Sequence, residues 1–180
     1  MTLKYEDTMK DFMEFREWND ELILDEEDGK VVLSTGVNIK KQSGGAIIEA
    51  RNDDIFEFYF YYSNFTVKES NLDQMEILLS TISRKLMIGC LEVVGDVDDR
   101  RVRWRHRVDF EGASPTGVTV SRNFQPGWST LESYINPIVA VALTKQSAAD
   151  ALSEHEAEVE KARAAENSSA NAGDDVPDEL

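Results

Sequence analysis

Arg101, Arg103, Arg105 and Arg107 alternate along RRVRWRHRVDF, and with Arg100 they place five of the chain's ten arginines within eight residues. Guanidinium groups at this density, with Trp104 and His106 among them, could hold phosphates, stack beside nucleic-acid bases or pair with carboxylates. Strand alternation narrows the choice. Successive strand side chains point to opposite faces, so the four arginines share one face while Val102, Trp104, His106 and Val108 share the other. The second set reads as core. Trp104 is then a packing residue rather than a stacking platform, and His106 a hydrogen-bonded residue at the core edge rather than a general base. Guanidiniums two residues apart lie about 7 Å from one another and repel by about 0.6 kcal/mol in a water-like dielectric. A facing acid on an antiparallel neighbour, such as Glu92, offsets that cost. The remaining readings of the arginine face are a protein partner, with Arg103 and Arg105 near Tyr59 and Tyr61, and nucleic acid. Arg and Tyr are enriched at interface anchors.

The other reactive residue types form no catalytic or metal constellation. Cys90 is the lone cysteine, has no nearby partner in sequence, and reads as a buried, inert thiol. His155 opens HEAEV, but Val159 stands where a second zinc ligand would have to be. The acids of Asp96–Asp99 lack the glycine of a calcium loop, and Arg107 stands at the place of its closing glutamate. Gly44-Gly45 follows Lys40 and Lys41 without a phosphate-loop pattern and reads as a turn. No metal or cofactor is expected, and no enzyme activity.

Composition bounds the rest. A chain of 180 residues with 41% hydrophobic content can bury one continuous core, and no apolar run approaches the ~18 residues of a membrane span, so a soluble globular protein is expected. MTLKYEDTMKDF lacks the basic-then-apolar pattern of a secretory leader, which with a single cysteine favours a cytoplasmic location. The net charge of −16 is concentrated at the ends. Residues 1–28 carry eleven acids against three bases and residues 150–180 ten against two, whereas residues 29–149 balance. Two acidic ends would repel phosphates, so nucleic acid is disfavoured.

The elements follow from periodicity. A first helix is expected over 7–18, capped by Asp7 or Thr8, with Met9, Phe12 and Met13 on its apolar stripe. A hairpin turns at Asp28-Gly29, and a third strand follows in GGAIIEAR. In IFEFYFYYSNF the residues Phe56, Phe58, Phe60 and Tyr62 share the core face, while Glu57, Tyr59 and Tyr61 share a reverse face sticky enough to be partly covered by a partner or ligand. An amphipathic helix starts at Asn71, with Gln74 as its reciprocal cap. A hairpin then joins MIGCLEVV to the arginine strand. A last core helix is expected from Ser129, with Glu132 completing its cap and a kink or break at Pro137. Residues 1–145 therefore form an α+β domain with an antiparallel sheet of five to six strands, in the order α-β-β-β(-β)-α-β-β-α. An acidic Ala/Glu-rich helix over 146–165 and a disordered acidic tail over 166–180 follow. The acidic segment from Asp150 is a candidate to fold back over the arginine face.

The run from LDQMEILLSTISRKLM through GCLEVVGDVDDRRVRWRHRVDFEG to LESYINPIVAVAL resembles the YbjN family, a group ascribed to bacterial sensory-transduction regulation whose fold is shared with class I type III secretion chaperones. The resemblance covers residues 9–143 and departs after Lys145. It implies a type III secretion chaperone-like α+β domain, often dimeric, without catalytic residues, that binds extended client segments on its sheet and helix surfaces. The expected function is a non-enzymatic protein-binding or chaperone-like regulator acting as a homodimer on a protein partner or client peptide, with neither nucleic acid nor membrane as partner. Its expected contacts are Tyr59, Tyr61, Arg101, Arg103, Arg105 and Arg107. The alternative expectation is a small-ligand sensor or enzyme using the sheet face around Tyr59, His106 and the arginine strand.

Overall fold

Alternating burial along six segments builds one antiparallel sheet in the computed structural model, which describes residues 3–40 and 42–171. In chain order the elements are α1 (Glu6–Phe15), β1 (Leu22–Asp25), β2 (Lys30–Ile39), β3 (Gln42–Arg51), β4 (Ile55–Tyr62), a 3-10 turn (Glu69–Asn71), α2 (Leu72–Ser83), β5 (Cys90–Val94), β6 (Arg101–Asp109), α3 (Gly117–Leu143) and α4 (Ala148–Asn171). The sheet order is β1-β2-β3-β4-β6-β5, so the chain leaves β4, forms α2 and returns as the β5–β6 hairpin with β6 against β4. This is the α+β architecture expected from the sequence. At the β1–β2 turn Gly29 takes φ 63°, a left-handed conformation glycine adopts without steric cost, and the Asp25 carboxylate accepts the Asp28 amide at 3.1 Å.

The core lies between one sheet face and the helices. Leu33, Ile48, Phe56, Phe58, Phe60, Val102 and Trp104 project into it and meet Met9 and Phe12 of α1, Met75, Leu78 and Ile82 of α2, and Phe124, Leu131 and Ile138 of α3. Each such side chain contributes roughly 1.5–3 kcal/mol when fully buried. Tyr62 joins them, and its hydroxyl donates to the Leu131 carbonyl at 2.6 Å, so a buried polar atom is satisfied by the helix above it. α4 packs on α2 and α3, on the helical side of the molecule.

Several expectations are corrected. α1 stops at Phe15 because Glu17 takes φ 57° and turns Trp18 back onto Phe12 and Phe124. Asp7 and Thr8 do not cap it; the Thr8 hydroxyl donates to the Pro115 carbonyl instead. Gly44 and Gly45 are not a turn but lie inside β3, where Tyr61 crowds both of them from β4. α3 starts at Gly117, twelve residues before Ser129, with Thr116 as its cap, and runs unbroken through Pro126 and Pro137. α4 runs to Asn171, past the expected start of the tail at 166; residues 172–180 of that expected tail lie outside the described residues. Because α4 packs on the helical side, its acidic residues do not cover the arginine face.

Asn71 and Gln74 also serve helices other than their own. Asn71 makes no capping bond to α2; its amide nitrogen donates to the carbonyls of Val141, Ala142 and Thr144 at 3.0, 3.0 and 2.8 Å. These are among the carbonyls that the end of α3 leaves without helical partners. Gln74 Oε1 accepts the Ala148 amide at 2.9 Å, closing the start of α4. The segment that leads from the 3-10 turn into α2 thus fixes where α3 ends and α4 begins.

Candidate functional site

Among the described residues no helix packs on the face opposite the core. Of its residues on β2 to β6 only Gly45 is buried, and the ring of Tyr61 covers it. Cross-strand pairing arranges this face in rows. One runs Val32, Glu49, Glu57, Arg107; the next Ser34, Ile47, Tyr59, Arg105, Cys90; the third Gly36, Gly45, Tyr61, Arg103, Glu92. Arg101 follows beside Val94. All six residues expected to form the site, Tyr59, Tyr61, Arg101, Arg103, Arg105 and Arg107, therefore share one surface. The rows also bring in Ile47, Glu49 and Glu57. Alternation within AIIEAR carried the signal for the first two of these.

The arginines divide into two kinds. Arg103 donates to Glu92 from Nε at 3.0 Å and from an η nitrogen at 2.6 Å, while its guanidinium lies 4.7 Å from the centre of the Tyr59 ring. Arg101 pairs with Asp99 at 2.9 Å. Glu92 is the acidic neighbour expected from the sequence. Arg105 and Arg107, in contrast, are exposed and make no ion pair among the described residues. Ile47, Glu49, Tyr59, Tyr61, Arg101 and Arg103 line a shallow groove of about 430 Å³. Burial, followed by the nearby Glu57 and Glu49 carboxylates, pushes the Tyr59 phenol up to about 12 against the opposing pull of Arg103. Tyr59 is therefore a neutral hydroxyl at physiological pH, able to donate or accept a hydrogen bond.

His106 is not part of this surface. It points into the helical side, where Nε2 lies 3.2 Å from Asn123 Oδ1 and the ring stacks on Phe58. Burial lowers its pKa, partly countered by Asn123. The sheet separates His106 from Tyr59, so a sensor or enzyme site combining the two is not assembled here. Cys90 is also corrected: Leu91 and Val93 turn toward α2 and the core, which leaves Cys90 exposed on the open face opposite Arg105. His155 packs against Tyr134. Among the described residues no group of three or more His, Cys, Asp and Glu side chains could hold a metal ion, and no helix is long and apolar enough to cross a membrane.

Fold and face together define a mixed α+β domain with helices on one side of a six-stranded antiparallel sheet and an open surface on the other. That architecture is YbjN-like. The chain is similar to the crystal structure of YbjN, a proposed transcription regulator from E. coli, with a TM-score of 0.52 and 11% sequence identity over 75% of this chain and 94% of that one. At that identity the likeness is one of fold. No family model matches the chain, and no curated protein matches it.

Proposed function

We propose that this chain is a non-enzymatic regulatory module that binds protein on the open face of its sheet. One observation carries the reading: Tyr59, Tyr61 and the four alternating arginines of β6 converge on a face that no helix among the described residues covers, with Tyr59 held under Arg103. Aromatic rings fixed by neighbouring guanidiniums present apolar area at low conformational cost, which suits interface anchors. Arg105 and Arg107 remain available for carboxylates of the bound protein. The YbjN-like fold agrees with a regulatory role, and the acidic ends argue against a nucleic-acid ligand.

The test is affinity capture from cell extract with the full chain and with a Tyr59→Ala, Tyr61→Ala, Arg105→Ala triple variant that keeps its far-UV circular dichroism. Specific proteins retained by the natural chain and lost by the variant support the reading. Equal retention by both, or no retention by either, contradicts it.

A further inference from the structure

α4 is attached to the domain by a thin seam. Of its described side chains only Ala148 and Ala151 are buried, while Leu152, His155 and Val159 are half-buried. By comparison α2 buries Met75, Leu78, Leu79 and Ile82, and α3 buries Phe124, Leu131, Ile135 and Ile138 among others. Apolar stabilisation follows the area removed from water, so two alanine methyls anchor α4 far less firmly than its neighbours are anchored. The polar ties are peripheral. Gln74 accepts the Ala148 amide at 2.9 Å, Lys85 pairs with Glu156 at 2.6 Å, and Asn136 donates to Glu158 at 3.2 Å. Both partners of the ion pair are exposed, and such pairs contribute little against water and salt.

α4 also underfills the space it occupies. Toward α2 an open cleft of about 350 Å³ is lined by Ile77, Thr81, Ala149, Leu152 and Ser153, and Ile77 stays 54% exposed there. Further along the helix, toward Tyr134 of α3, a second cleft of about 300 Å³ is lined by Tyr134, His155, Val159 and Arg163. The Lys85–Glu156 pair forms a wall of both. Larger apolar groups in the places of Ala149 and Ser153 would bury surface that α4 leaves wet.

This helix is able to leave without unfolding. Ser147 Oγ accepts the Asp150 amide at 3.1 Å, so α4 carries its own cap. Its 24 residues are rich in alanine and glutamate, and at that length such a sequence favours helix without tertiary support. Asn71 holds the Thr144 carbonyl at 2.8 Å, which leaves residues 145–147 as the pivot.

We propose that α4 is a displaceable strap: it swings away on residues 145–147 while the sheet, α2 and α3 stay folded, and the groove it vacates docks an acidic amphipathic helix of a partner protein. Lys85 and Asn136 set the acidic requirement, since they hold Glu156 and Glu158 of the resident helix. The two clefts set the second requirement, larger apolar residues along the partner's seam. This groove lies on the helical side of the sheet, so it stands or fails independently of the open face.

Hydrogen exchange of the full chain, followed by mass spectrometry, tests the release. Amides of residues 148–159 should be about 100-fold or more less protected than those of β4. A variant with Ala149→Leu and Ser153→Leu, which fills the first cleft, should slow exchange in α4 by about 10-fold or more and leave β4 unchanged. Fluorescence anisotropy tests the docking, with a labelled synthetic peptide of residues 146–171 carrying the same two substitutions as the probe. The peptide should bind the natural full chain, and bind the filled variant about 10-fold or more weakly, because the tethered strap of that variant is harder to displace. Glu156→Lys together with Glu158→Lys in the peptide should weaken binding by about the same factor. Equal protection of α4 and β4 overturns the strap. A peptide that does not bind the natural chain, or that binds both chains equally, overturns the docking groove.

Discussion

Arg103 lies 4.7 Å from the ring centre of Tyr59 while two of its nitrogens hold one oxygen of Glu92. Three strands are thereby tied together on the open face, since Tyr59 belongs to β4, Arg103 to β6 and Glu92 to β5. The same relationship separates structural from available arginines. Arg103→Ala should cost about 1 kcal/mol of stability through the lost cation–π contact and ion pair. Arg105→Ala and Arg107→Ala should stay within about 0.5 kcal/mol of the natural chain. Urea unfolding of the three variants measures the difference, and equal losses at all three positions would contradict it.

Gly127 sits where α3 crosses the sheet. A Cβ there would lie 2.4 Å from Trp104 Cε3 and 2.6 Å from Phe60 Cδ2, both in fully buried rings. Alanine in an exposed helix interior would stabilise by about 1 kcal/mol relative to glycine. At this position Gly127→Ala should instead destabilise by about 1–3 kcal/mol through overpacking. Urea midpoints determine the sign.

Asn71 closes the end of α3 by donating to three carbonyls. Asn71→Ala leaves them without that donor and should cost about 1–3 kcal/mol. Gln74→Ala should act more locally, releasing the Ala148 amide. Hydrogen exchange should then quicken at the start of α4 with little change in the sheet.

His106 gives a pH signature. Burial holds its imidazole below the ordinary value of 6.5, so the folded chain binds this proton less readily than the unfolded chain. Its contribution to stability is complete above about pH 6.5 and is lost as pH falls through the lowered folded value. Urea midpoints measured between about pH 7.5 and 5.5 should fall for the natural chain. His106→Asn should flatten that slope.

Much of this was legible in the sequence because period-two alternation is a strong signal. The core face of β4, the outward arginines of β6 and Glu92 as an acid facing them follow from it, whereas the register that sets Glu92 against Arg103 in particular belongs to the hairpin. The start of α3 was hidden because Ser129 with Glu132 matches a cap, and because Pro126 and Gly127 are both unfavourable inside a helix. Tertiary packing reverses that reading, since Gly127 is required by Trp104 and Phe60. The roles of Asn71 and Gln74 were hidden for a related reason. Their spacing matches a local cap, while their partners lie some seventy residues away. The shared face of Glu49 and Arg107 depends on β6 pairing with β4, a long-range choice that no local pattern specifies.

The most direct measurement of the docking face is site-specific photo-crosslinking of the full chain in living cells, with the reactive side chain installed in place of Arg105 and, as a control, in place of exposed Lys10 on α1. A docking surface predicts discrete protein adducts from position 105, either a covalent dimer of this chain or a defined second protein, and none of those species from position 10. The absence of adducts from position 105, or the same adducts from both positions, would contradict it.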